Sequence, residues 1–336
     1  MKPRILLLII FLVALVLRFF HLGVNPPSLT WDEIAWGYNA YSIGIDGKDE
    51  FGRFLPHDYL ESFGDFKPPV YAYLTVLPVK IFGLNEFAVR FPSALFGSLT
   101  VLLTYFLTKK IFRSNKETKI NPEAVALCAS LFLAISPWHI NLSRAGFEAN
   151  VASFFIVSAT LFFVIAFQEK KKYLIISAIF FVLSLYTFNT ARVFVPLFVL
   201  FLAAGFRKWL LENKKTVILS ALIGLILLLP TLTFLFSPQA SLRFKEVNIF
   251  SDISIIYRTN QQIARDNNTV WSKIIHNRRI TYGVEFLKHY LDNLNPSFLF
   301  IKGDGNPKFS TQDVGQMYIW DIPFFIFGIF ILFRFR

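Results

Sequence analysis

Eight apolar runs, near residues 5–22, 87–108, 122–138, 151–167, 173–188, 193–206, 216–236 and 319–333, constrain this chain more than any other feature. A helix of ~20 apolar residues spans a bilayer, because lipid offers no partner for backbone N–H and C=O groups and a helix satisfies them internally. Several runs are shorter than that, which predicts tilted or broken helices and interfacial turns. The expectation is an all-α polytopic membrane protein with eight crossings. Composition agrees: 54% of the 336 residues are hydrophobic and 18% aromatic, too apolar for an ordinary soluble domain. The start, Met1 to Arg4 followed by Ile5 to Phe20, lacks a small-residue cleavage site and reads as a retained first transmembrane helix.

The basic residues orient these runs. With the N-terminus inside, the cytoplasmic segments hold Lys2 and Arg4; Lys109, Lys110, Arg113, Lys116 and Lys119; Lys170, Lys171 and Lys172; Arg207, Lys208, Lys214 and Lys215; and Arg334 and Arg336. The short outer connections hold only Arg144 and Arg192, a clear positive-inside asymmetry. The formal charge of +12 is thus accounted for by membrane edges and anionic lipid, and nucleic acid is not an expected partner. Cys128 is the only cysteine, which excludes intramolecular disulfides and thiolate metal clusters.

Two long segments then lie outside, 23–86 and 237–318, and the chain reads as one membrane-embedded module over 1–336. In the first segment, Trp31, Ile34, Ala35, Tyr38, Tyr41, Ser42 and Ile45 follow helical spacing and predict an amphipathic helix on the membrane surface. In the second, Val270, Trp271, Ile274, Ile275, Val284, Leu287 and Leu291 predict another, with Gly283 as its interruption.

Chemistry concentrates on the outer face. Thr30-Trp31-Asp32-Glu33 has the spacing of a capping box, which accounts for Glu33 and less well for Asp32. A carboxylate at the membrane surface could instead take a proton from a hydroxyl or hold a divalent cation. In Asp65-Phe66-Lys67-Pro68-Pro69-Val70-Tyr71, the prolines open an apolar helix and set Lys67 at its N-terminus, a place for phosphate; a snorkelling lysine is the plainer alternative. Arg144 and Glu148 stand four apart, as in a helical ion pair. They could equally serve as a phosphate-binding cation and a second acid facing the first loop. Arg192 is another outer cation with the same two readings.

Trp-Asp-Glu after the first helix, then Lys67-Pro-Pro-Val-Tyr-Ala-Tyr-Leu74, then Asn85-Glu-Phe-Ala-Val-Arg-Phe-Pro-Ser-Ala94, resemble glycosyltransferase family 39. That family includes the protein O-mannosyltransferases and the lipid A aminoarabinose transferase. The resemblance runs from residue 1 to about 205 and is weaker beyond, at Gly303-Asp304 and Gly315-Gln-Met-Tyr318. It implies a GT-C-type helix bundle using a polyprenyl-phosphate sugar, with a protein, lipid or glycan acceptor. It further implies that Asp32 is the first-loop catalytic acid, Glu33 its neighbour, Lys67 the donor-phosphate lysine and Glu148 a second acid. A divalent metal on Asp32 and Glu148 stays open. Relatives continue through further helices, so on this resemblance the chain reads as C-terminally truncated.

No Walker loop, Rossmann glycine fingerprint or His-Glu-x-x-His motif is present in the sequence, so a lipid-borne donor is the economical choice. The expected function is an inverting glycosyltransferase of the cell membrane, active on the outer face. The rival is a transporter or lipid-linked sugar flippase, which would place its charges near the midplane in two related halves.

Overall fold

The computed structural model describes residues 2–113, 121–240, 242 and 248–334, so Lys116, Lys119 and Arg336 of the basic clusters lie outside the described residues. In chain order the helices are α1 (Pro3–Phe19), α2 (Trp31–Asp46), α3 (Val70–Phe82), α4 (Glu86–Arg113), α5 (Pro122–Ile135), α6 (Pro137–Arg144), α7 (Glu148–Gln168), α8 (Tyr173–Leu185), α9 (Ala191–Gly205), α10 (Arg207–Glu212), α11 (Lys214–Leu235), α12 (Ile253–Arg265), α13 (Val270–Ile275), α14 (Arg278–Asp292) and α15 (Ile322–Arg334). A small hairpin, β1 (Leu60–Ser62) and β2 (Asp65–Lys67), precedes α3.

All eight apolar runs fold as helices, but they are not eight full-length spans. Among the described residues, three helices are long and apolar enough to cross a membrane: α4, α7 and the Lys214–Leu232 part of α11. The α5–α6 pair, bent by 55°, makes a fourth if it is one span, and the chain is a multi-pass membrane protein. The others are shorter; the 13 residues of α8 rise only ~20 Å, against a hydrocarbon core of ~30 Å.

The α5–α6 break shows what such an interruption costs and how it is met. Pro137 has no N–H, so the Leu133 carbonyl one turn earlier loses its helical donor. Arg18, fully buried on α1, reaches across and donates to Leu133 O at 3.2 Å and Ala134 O at 3.0 Å. Arg144 at the end of α6 returns the service: it donates to Leu17 O at 2.9 Å, near the end of α1, and to Asn25 O at 2.8 Å. Two guanidiniums thus exchange caps between neighbouring helices in a setting where an unpaired carbonyl is costly. Around them α4 packs against α1, α3, α5 and α7, and α7 against α8.

The chain divides into two compact units, Met1–Phe234 and Leu235–Arg336. In the second unit, Asp252 caps α12, Tyr282 on α14 donates to the Asp252 carbonyl at 3.2 Å, and Arg258 pairs with Glu285 at 2.5 Å. The helix expected to break at Gly283 breaks earlier, at His276-Asn277, where Asn277 accepts from Arg279 N and caps α14. Gly283 lies inside α14 and has nothing within 4 Å of a Cβ position, so no packing forces a break there. Gly315 packs directly on Phe300 backbone, 2.4 Å from where its Cβ would stand, which leaves room only for glycine.

Candidate active site

The expected amphipathic helix is α2, and its polarity decides what the site can be. Trp31, Ile34, Tyr38, Tyr41 and Ile45 are exposed, while Glu33, Trp36, Asn39 and Ala40 are buried. The exposed face is apolar, as in a helix turned towards lipid, while the buried face packs Trp36, Ala40 and Ile43 into the core around the polar Glu33 and Asn39. Asn39 anchors the loop that follows, donating to Ser62 Oγ at 3.0 Å and Glu50 Oε1 at 3.1 Å.

The capping box at the start of α2 is present. Glu33 N donates to Thr30 Oγ1 at 3.3 Å, and Thr30 N donates to Glu33 Oε2 at 2.8 Å. Glu33 does more than cap, however. Its Oε1 accepts from Arg90 Nε at 2.8 Å and from Gly146 N at 3.0 Å. Arg90, fully buried on α4, spends its other nitrogens on the carbonyls of Leu22 (3.0 Å), Pro26 (2.8 Å) and Ser28 (2.9 Å). Glu33 is therefore the knot that ties α2, α4 and the α6–α7 link together, with both its oxygens engaged.

Asp32, its neighbour, faces the other way. Its carboxylate pairs with the Lys67 ammonium, with the side chains 19% and 6% exposed. Thirty-five positions separate them in sequence. The hairpin closes that distance, since Lys67 is the last residue of β2 and pairs with Leu60 of β1. Lys67 is thus not at the first turn of α3, as the prolines suggested. Pro69 occupies the cap position, and the first N–H of the helix, Val70 N, donates to Tyr186 O at 3.1 Å. The Lys67 ammonium lies 5.2 Å from the Trp36 ring centroid, close enough for cation–π attraction.

A second bond places Arg192 on the same side. Asn189 Nδ2 donates to Phe66 O at 3.4 Å, so the Tyr186–Arg192 turn is held against the end of β2. The Arg192 guanidinium sits 5.2 Å above the Phe234 ring and donates through Nε to Leu185 O at 3.3 Å. Two buried donors here, Trp36 Nε1 and Arg192 Nη2, have no acceptor among the described residues. Buried donors of this kind are rare and call for a ligand or ordered water.

Arg144 and Glu148 do not share a helix: Arg144 ends α6 and Glu148 begins α7, so the i, i+4 geometry of a helical ion pair is not formed. Arg144 is directed to the end of α1 by its two carbonyl acceptors. Glu148 follows the Gly146 bond to Glu33, which lays the Ala145–Glu148 link against the first turn of α2. Among the described residues, no three His, Cys, Asp or Glu side chains gather as a metal site, and the Asp32 carboxylate is paired with Lys67.

Residues 66–234, half of the chain, match the family described as dolichyl-phosphate-mannose-protein mannosyltransferase. The chain belongs to this family. The matched stretch includes Lys67, Arg144, Glu148 and Arg192 and begins after α2. An uncharacterized protein of Aquifex aeolicus is 30% identical over 169 residues, covering 50% of this chain and 31% of its own length. YkcB of Bacillus subtilis, provisionally named a mannosyltransferase, is 32% identical over 139 residues, covering 40% of this chain and 18% of its own. ArnT from Cupriavidus metallidurans superimposes with TM-scores of 0.54 in its apo state and 0.51 bound to undecaprenyl phosphate. Identity is 18% and 15%, over 72% and 74% of this chain and 43% and 42% of ArnT. That likeness shows the fold, the GT-C-type helix bundle expected from the sequence. This member of the family spans less than half of each relative's length.

Two buried arginines were not singled out from the sequence. Arg90 lay in plain view inside a family motif, and Arg18 inside the first apolar run. An ionisable side chain within an apolar helix was the available signal.

Proposed function

We propose that this chain carries the catalytic part of an inverting glycosyltransferase that moves a sugar from a polyprenyl-phosphate to a hydroxyl acceptor on the outer face of the cell membrane. The observation that carries this reading is the Asp32–Lys67 pair, flanked by the two buried donors that lack acceptors. A sugar phosphate needs cations and N–H donors at its phosphate, and a base on the far side of the sugar carbon.

In this reading Lys67, Arg192 and the Trp36 indole N–H receive the phosphate oxygens. The acceptor hydroxyl gives its proton to the Asp32 carboxylate, and its oxygen attacks the anomeric carbon opposite the phosphate. The carbon–oxygen bond to phosphate breaks, its electron pair leaves on the phosphate, and configuration inverts. Charge on the leaving phosphate grows as the bond breaks, so donors fixed around it stabilise the transition state more than the ground state. Arriving phosphate also competes with Asp32 for Lys67, which frees the carboxylate when a donor is in place. Glu148, brought to the first turn of α2, lies on the acceptor side.

The distribution of basic residues supports an N-terminus inside and this site outside. The test is single-turnover transfer from a radiolabelled polyprenyl-phosphate sugar by purified protein, with release of free polyprenyl phosphate as the expected product. Labelled lipid recovered unchanged on the opposite leaflet of a vesicle would support a flippase instead.

A further inference from the structure

The opposite end of α8 from the Tyr186–Arg192 turn carries a second built feature. There Glu169–Lys172 joins α7 to α8, and α10 joins α9 to α11. The two connections share an aromatic floor. Phe163 and Phe167 set their ring edges against Phe206, with centroids 5.0 and 4.9 Å apart, and against Trp209, at 6.2 and 5.6 Å. Beside it lies a cavity of about 590 Å³ lined by Lys170, Lys171, Lys172, Trp209, Asn213 and the rim residue Glu169, among others.

The charges in this cavity are one-sided. Glu169 pairs with Lys110, whose hydrogen bond is the main cause holding its carboxyl below the usual range, and Lys170 acts on the same carboxyl as a nearby charge. Lys170, Lys171 and Lys172 make no ion pair with any described residue, and neither do the flanking Arg207, Lys208, Lys214 and Lys215. Three lysines in this lining face a single carboxylate, Glu169, that already pairs with Lys110, so the cations are in excess and repel one another, and a further anion relieves that repulsion. The surroundings say which anion. Phe201, Leu211 and Ile218, on the helices flanking the cavity, are 73%, 61% and 58% exposed, as suits contact with acyl chains. Trp209 lies on α10, the short connection between the apolar helices α9 and α11, and tryptophan is a residue type enriched where such helices meet lipid headgroups.

We propose that this cavity is a binding site for the phosphate headgroup of an anionic glycerophospholipid, with Lys170, Lys171 and Lys172 on the phosphate and Trp209 at the glycerol level. The site is separate from the candidate active site, which lies around the other end of α8, and it holds a resident bilayer lipid independently of any sugar donor.

The test is native mass spectrometry of the full-length protein in detergent, titrated with phosphatidylglycerol, with phosphatidylcholine, and with inorganic phosphate. Phosphatidylglycerol should bind about tenfold or more tightly than phosphatidylcholine, and inorganic phosphate at the same concentration should not displace it. A basic residue near an anionic lipid surface contributes about fivefold in affinity. Lys170→Gln/Lys171→Gln/Lys172→Gln should therefore lose about 10²-fold. Lys208→Gln/Lys214→Gln/Lys215→Gln removes the same charge from the same end of the bundle but leaves the cavity lysines in place, and should lose no more than about fivefold. Should the triple cavity variant fail to fold, Lys171→Gln alone should still show about a fivefold loss. Equal losses in the two triple variants would reduce the site to diffuse surface charge, and ready displacement by inorganic phosphate would make it an ion site; either outcome overturns the proposal.

Discussion

Arg90 Nε donates to Glu33 Oε1 at 2.8 Å with the two side chains 0% and 1% exposed. A pair so buried is sensitive to loss of one partner, because the other remains as an uncompensated charge. Glutamine would still close a capping box, but it cannot neutralise Arg90. Glu33→Gln should therefore cost about 3–5 kcal/mol of stability, read as a lower melting temperature in detergent. Arg90→Leu should cost a similar amount, and the double variant less than the sum, since the two sites are in direct contact. Additive losses would show that the pair is not a unit.

Lys67 pairs with Asp32 and sits over Trp36. Lys67→Ala should weaken binding of a polyprenyl phosphate by about 1.5–3 kcal/mol, the worth of a charge-assisted hydrogen bond. Lys67→Arg should recover only part of it, because a planar fork does not match a point charge. Titration calorimetry of both variants checks this, and an unchanged dissociation constant for Lys67→Ala would leave the lysine as a structural partner of Asp32.

Gly146 is tight by contact rather than by backbone angle. A Cβ there would stand 3.0 Å from Glu33 Cγ and 3.2 Å from Tyr71 Oη. Tyr71 is fully buried and holds the Val89 carbonyl at 2.9 Å, so it has little room to give. Gly146→Ala should cost about 1–3 kcal/mol, as overpacked cores do. Gly283→Ala, with open space around it, should be neutral or stabilising by up to about 1 kcal/mol. Melting curves of the two single variants compare them directly.

Orientation is open to cysteine labelling. Cys128 is the only cysteine and is exposed, so Cys128→Ser comes first. Lys48, about half exposed in the α2–β1 connection, and Lys171, exposed between α7 and α8, report on opposite ends of the bundle. Asp49, beside Lys48, is 3% exposed and makes a poor reporter. An impermeant maleimide should label Lys48→Cys in intact cells and Lys171→Cys only after permeabilisation. The reverse pattern would put the candidate site inside.

Much of this was legible because membrane segments write themselves as apolar runs. The capping box was legible too, since it is local: Thr30 and Glu33 stand three apart and meet wherever a helix begins. What stayed hidden was long range. Nothing local joins Asp32 to Lys67, because the intervening hairpin has three-residue strands, too short to show an alternating pattern. Pro68 and Pro69 read as a helix start that would carry Lys67 with it, whereas the strand takes Lys67 and the helix begins at Val70. Arg144 and Glu148 read as one helix because a four-residue spacing cannot reveal a break at Ala145. The partner of Glu33 was unreadable for the same reason: 57 positions separate it from Arg90.

Asp32 bears the central claim. Asp32→Asn preserves side-chain size and suits the first turn of a helix, so folding should survive. The change removes the negative charge that would accept the acceptor's proton. Single-turnover sugar transfer from a polyprenyl-phosphate donor, measured for wild type and Asp32→Asn alongside their melting curves, is the most direct test. Transfer should fall by about 10²–10⁴-fold, the usual range for loss of a general base. Donor binding should hold or tighten, since Lys67 no longer has Asp32 as a competing partner, and the melting temperature should drop by less than for Glu33→Gln, because this pair is the more exposed of the two. Transfer by Asp32→Asn at close to the wild-type rate would contradict the account.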